Sequence, residues 1–133
     1  MQIEINNLTK FKIDKKLFTG VAKKVITGEN KEIDLSIAFV SAQEIKKWNK
    51  KYRRKNKPTD VLSFNFDNSG EVVICPEIVK QNAQKYDNTY KLEAIKMLVH
   101  GILHIAGYDH ERSEEEAKEM EEKENFYLHN LRF

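Results

Sequence analysis

Only one cysteine, two prolines and five glycines occur among the 133 residues. The lone thiol, Cys75, excludes an internal disulfide and leaves no set of thiolates to close a structural zinc site. Lying at the end of an apolar run, it reads as a small buried hydrophobe. No apolar stretch approaches the roughly 20 residues that a helix needs to span a bilayer. The opening MQIEINNLTK lacks the basic and apolar regions of a secretion leader. The expectation is a cytoplasmic protein with no membrane partner. No repeat, low-complexity segment or linker divides the chain, so residues 1–133 are expected to form one domain, long enough for a real core.

Net charge is equally sparse, at +2, but that average hides a separation. From Lys46 to Lys57, in KKWNKKYRRKNK, eight of twelve residues are Lys or Arg; from Glu111 to Glu124, eight of fourteen are Glu and three are basic. The basic run is a candidate footprint for phosphates. The acidic run reads as a solvated helix face, because like charges there would repel nucleic acid.

Periodicity predicts an α+β fold. Residues Gln2–Ile5 form an opening strand, and Asp14 caps a helix that carries Leu17, Val21 and Val25 on one stripe and ends at Gly28. Ile33, Leu35, Ile37 and Phe39 alternate as a second strand. Ser41 and Glu44 make a capping box for a helix expected to turn Ile45, Trp48 and Tyr52 inward, with Pro58 closing the basic stretch. Val61–Phe66 and Glu71–Cys75 form a hairpin across the turn Asp67–Gly70. Pro76 opens a helix to about Tyr86, another runs from about Tyr90 to Ala106, and Ser113 and Glu116 box the start of the last, toward Leu128. The sum is a mixed sheet of about four strands packed against about five helices, one of them buried and histidine-bearing.

That helix carries the chemistry. His100 and His104 are four apart in an apolar segment, so both imidazoles project from one face. Gly107 can take a left-handed conformation, turning the chain back to bring His110 toward them. Three nitrogens converging in this way suit a tetrahedral zinc, one ion per chain, whose fourth position stays open to water. The spacing H-x-x-x-H-x-x-G-x-x-H matches the zinc motif of metzincin proteases, except that Gly101 stands where those enzymes hold the glutamate that deprotonates the water. A zinc peptidase is therefore disfavoured. An RNA-binding factor with a purely structural zinc is disfavoured too, because such sites close all four positions with protein ligands.

Two separated motifs, His100-Gly101-Ile-Leu103-His104-Ile-Ala-Gly107-Tyr108-Asp109-His110 and Pro58-Thr-Asp-Val-Leu-Ser-Phe64 following Tyr52-Arg53, resemble those of the YbeY endoribonucleases. The likeness spans about Leu35 to Glu124. It implies a zinc-dependent, single-strand endoribonuclease acting in ribosomal RNA maturation, at the 3′ end of the small-subunit RNA, and in ribosome quality control. It implies ribosomal RNA and small-subunit proteins as partners. Carried over by residue, it assigns His100, His104 and His110 to zinc, and Arg53 with His100 to the catalytic set. The chain departs from the family's pattern at Gly70-Glu71, where Gly-Asp is frequent, and at Asn56 and Asn65, where Asp and Pro are.

The roles of the neighbours stay open at this level. Arg53 has a planar fork that can grip two phosphate oxygens, but the residues alone do not separate it from Arg54. Asp109 is either an acid or base or a carboxylate that orients a histidine. Tyr108 either bonds substrate or packs beneath the metal loop, and Thr59 and Asp60 either orient the cleft edge or cap a turn. His129 has no partner in the sequence and is left out of the site.

Overall fold

The computed structural model describes residues 1–131. Its elements are β1 (Ile3–Asn7), α1 (Lys15–Gly28), β2 (Asp34–Phe39), α2 (Ala42–Arg53), β3 (Val61–Phe66), β4 (Ser69–Ile74), α3 (Pro76–Lys85), α4 (Tyr90–Ile105) and α5 (Glu114–Asn130). The expected α+β architecture is present, with four strands in the order β1-β2-β4-β3. β1 and β4 run parallel to β2, while β3 runs antiparallel to β4 and forms one edge.

Strand alternation divides the apolar residues between two faces. Leu35, Ile37, Phe39, Val72 and Ile74 join the main core with α1, α4 and α5. Leu62, Val73 and Cys75 join a smaller cluster under Ile45 of α2. Cys75 is fully buried, as its apolar context predicts. Ten of the sixteen residues of α4 are buried, which explains its apolar character on nearly every side.

Caps locate the helices. Asp14, Ser41, Thr89 and Ser113 each accept a hydrogen bond from a backbone N–H in the first turn that follows. α1 ends at Gly28 as expected, with Asn30, at φ 60°, as the left-handed residue that follows; Gly28 also packs closely, since a Cβ there would lie 2.5 Å from the Tyr127 hydroxyl. Arg54, at φ 57°, ends α2. One expectation needs correction: Tyr52 does not turn inward but is 54% exposed. β3 is the sheet edge, so among the described residues no further strand lies beyond Phe64 to cover that ring. The inward position of the turn belongs to Asn49, 2% exposed, whose amide donates to the Lys57 carbonyl at 2.9 Å.

At Gly101 helix and sheet meet. A Cβ would stand 2.8 Å from Cγ1 and 3.0 Å from Cγ2 of Val72, a fully buried, β-branched and therefore stiff neighbour. Gly101→Ala should consequently lower the urea midpoint despite the better helix propensity of alanine. Overpacking costs about 1–3 kcal/mol, against roughly 1 kcal/mol gained in propensity. The loss should shrink in a Val72→Ala background, where room exists. A Gly101→Ala protein as stable as the parent would contradict this packing argument.

Candidate functional site

One end of α4, the edge strand β3, the end of α2 and the loop after α4 enclose a cleft of about 400 Å³. Its walls carry Tyr52, Arg53, Ser63, Phe64, His100, His104, Asp109, His110 and Glu111. α4 delivers His100 and His104, with ring centroids 6.5 Å apart. Gly107 then reverses the chain at φ 118°, with its own N–H on the His104 carbonyl and the Tyr108 N–H on the Leu103 carbonyl at 3.1 Å. The return brings the His110 ring to 5.1 Å from His100 and 6.0 Å from His104.

Among the described residues, the donors that converge on one point are those of His104, Asp109 and His110, all within 4.8 Å of one another. This group could hold a metal ion. His100 lies outside it, and its Nδ1 is 2.5 Å from Oε1 of Glu124 on α5. An ionised carboxylate only accepts, so Nδ1 carries the proton and Nε2 remains the nitrogen available to a metal. Asp109, in contrast, has both oxygens engaged: Oδ1 accepts the Glu111 N–H at 2.9 Å and Oδ2 accepts from Arg112 Nε at 3.2 Å. Those contacts hold its carboxyl below the ordinary range, the Glu111 N–H contributing most. Nitrogen and oxygen donors without a thiolate suit zinc or another borderline divalent ion.

Arg53 reaches the cleft and forms an ion pair with Glu111, whose carboxylate also lies 3.9 Å from His110 Nε2. The Arg53 guanidinium, by its hydrogen bond and its charge, holds the Glu111 carboxyl below its usual range. Arg54 takes the left-handed capping position and is not part of the cleft wall, which separates two residues the sequence could not. All the Lys and Arg residues between Lys46 and Lys57 are exposed.

Other candidates point elsewhere. Asp60 accepts from the Val61 N–H at 2.8 Å and from Thr59 and Asn82 at 3.3 Å, a turn contact at the head of β3. His129 borders a separate depression with Lys96 and Phe126. The Tyr108 hydroxyl donates to Glu29 at 2.8 Å, and Tyr127 donates to the other Glu29 oxygen at 2.5 Å. Lys123 adds an ion pair at 3.6 Å. Tyr108 therefore anchors the loop after α4 to the end of α1.

This anchor has a pH signature. Burial pushes the Glu29 carboxyl up, but the bonds from Tyr127 and Tyr108 and the charge of Lys123 together hold it below its ordinary value of 4.5. Its contribution to stability is complete above that value and is lost as the pH falls below it. Burial and Glu29 push Tyr108 up to about 12, and Tyr127 also upward, so their contribution is lost at the alkaline end instead. Glu29→Gln should cost about 1.5–3 kcal/mol near neutrality and flatten the acid limb of stability against pH. An unchanged acid limb would show that the carboxylate is not linked to folding.

Glu111, Glu124 and Glu29 were not found by reading the chain. The first two are members of the acidic run, where charge pattern suggested only solvation. A signal for Glu124 did exist: it lies on the stripe with Met120 and Tyr127, both buried, and its own side chain is 13% exposed.

A family model described as Endoribonuclease YbeY matches residues 3–132. The Endoribonuclease YbeY of Thermotoga neapolitana is 42% identical over 107 residues, covering 79% of this chain and 72% of the relative. That of Petrotoga mobilis is 39% identical over 138 residues, covering 98% and 96%. The solution structure of a Thermotoga maritima protein superposes with a TM-score of 0.69 at 37% identity, covering 96% of this chain and 87% of that one. With the family model running almost end to end, and both motifs lying on one cleft, the chain belongs to the YbeY family.

Proposed function

We propose that this chain is a zinc-dependent endoribonuclease, a single catalytic domain that cuts single-stranded RNA in the maturation of the small-subunit ribosomal RNA 3′ end and in ribosome quality control. Its partners are then ribosomal RNA and small-subunit proteins, and its place of work is the cytoplasm. The relatives' name supplies the reaction class, hydrolysis of RNA internally. The observation that carries the reading is the shared cleft, whose walls bring together three imidazoles and a guanidinium.

His100, His104 and His110 hold the zinc in this reading, in a metzincin-like arrangement, and Asp109 braces the loop with the two hydrogen bonds already described. Bound there, zinc supplies Lewis acidity and activates water at neutral pH. Glu124 keeps the His100 proton on Nδ1 and fixes the ring. Arg53 turns from Glu111 to the scissile phosphate, where its fork meets two non-bridging oxygens and stabilises charge as the phosphorane forms. The surrounding cations track the flanking phosphates. A peptidase reading meets a physical obstacle at Gly101, because the position after the first histidine packs on Val72 and has no room for a glutamate.

End-group analysis tests the proposal. Protein of measured zinc content should cut single-stranded RNA to leave a 5′-phosphate and a 3′-hydroxyl, including where the adjoining ribose lacks its 2′-hydroxyl. A cyclic-phosphate end would replace water by the 2′-hydroxyl as nucleophile. Peptide hydrolysis without RNA cleavage would overturn the reaction class.

A further inference from the structure

Resting on the endoribonuclease reading, we infer that Tyr52 is a stacking platform for one unpaired nucleobase of the strand bound in the cleft. The residue breaks the pattern of its own helix: a large aromatic side chain at an expected core position is 54% exposed. It is also part of the same wall as Arg53 and the three histidines. An exposed ring beside a phosphate-binding arginine is what a strand with a base next to its scissile phosphate would meet.

The ring is held in place before substrate arrives. Phe64 meets it at 5.2 Å between centroids and 71°, and Trp48 at 6.0 Å and 45°. Both contacts are inclined, so neither neighbour covers Tyr52 by parallel stacking. Trp48 is itself fixed by the bond from its Nε1 to Glu44 at 3.1 Å. Lys51 Nζ lies 5.2 Å from the Tyr52 centroid. An exposed cation of this kind binds a ring weakly and can swing to a phosphate when a base takes its place.

A flat aromatic face accepts any base, so the platform confers a strand preference and not a sequence. Bases in a duplex are already stacked on their neighbours, whereas an unpaired base can splay onto the ring. The ligand of this subsite is therefore a single unpaired nucleotide.

Single-stranded RNA oligonucleotides carrying an abasic residue at each position in turn provide the test, with affinity read before turnover and cleavage followed on the same strands. With the parent protein, one abasic position should weaken binding about tenfold or more, within the range of base–aromatic stacks. Tyr52→Ala should lose a similar factor on the intact strand and become indifferent to that abasic position. Tyr52→Phe should keep the parent profile, and Tyr52→Leu, which keeps apolar bulk without a π face, should behave as Ala. A duplex of the same sequence should show no dependence on Tyr52. Equal affinities and equal abasic profiles for parent and Tyr52→Ala, with cleavage intact, would overturn the stacking role and spare the nuclease. A Tyr52-dependent abasic profile in a parent protein that never cuts would support the stack and sink the nuclease reading.

Discussion

His104→Ala and His110→Ala should each leave a folded protein that has lost zinc binding and RNA cleavage together. Both residues belong to the group of described donors that could hold a metal ion, and both are in the proposed ligand set. The informative comparison is between His100 and Asp109, which compete for the third place. His100 is held by Glu124 through Nδ1, which leaves Nε2 for a metal, whereas both Asp109 oxygens are already hydrogen-bonded. His100→Ala should accordingly lose most bound zinc, and Asp109→Ala should keep most of it. Glu124→Gln should weaken zinc binding by about 10–100-fold, the usual loss when the partner of a ligating histidine is changed. Zinc content by elemental analysis beside circular dichroism makes the comparison. Full occupancy in His100→Ala with an empty Asp109→Ala would exchange their roles.

Arg53→Ala should slow cleavage of bound RNA by about 10²–10³-fold, the scale seen when one preorganised donor to transition-state charge is removed. Affinity should change far less, because the neighbouring exposed cations keep their phosphate contacts. Arg53→Lys should recover little, since an ammonium cannot span two oxygens as the guanidinium fork does. Arg54→Ala is the control, being an equal charge one residue away but outside the cleft wall. Single-turnover rates measured at saturating RNA separate the two steps. Equal and small effects at Arg53 and Arg54 would remove any special role for Arg53.

Local chemistry made part of this site legible in advance. The i, i+4 histidines and the positive-φ glycine depend on nothing beyond α4 and the turn that follows it, and both appear as expected. Alternation and capping residues likewise located the strands and helices to within a few positions. What escaped the reading depends on distant contacts. Tyr52 obeys helical periodicity and would be buried if the sheet continued, but β3 is its edge. Glu124 belongs to a run whose charge argues for solvent, yet α5 places it against His100. Glu29 gains two tyrosines and a lysine from segments about 80 to 100 residues away, which no local pattern announces. Gly28 and Gly101 owe their identity to Tyr127 and Val72, so their lack of a side chain is a tertiary requirement.

Metal, cleft and reaction are joined in one experiment: protein stripped of metal is refilled stepwise with zinc, with bound ions counted and single-turnover cleavage of a defined single-stranded RNA measured at each step. Cleavage should be absent at the start, rise in proportion to bound zinc and level off at one ion per chain. Undiminished cleavage by the stripped protein, or stoichiometric zinc binding that brings no cleavage, would contradict it.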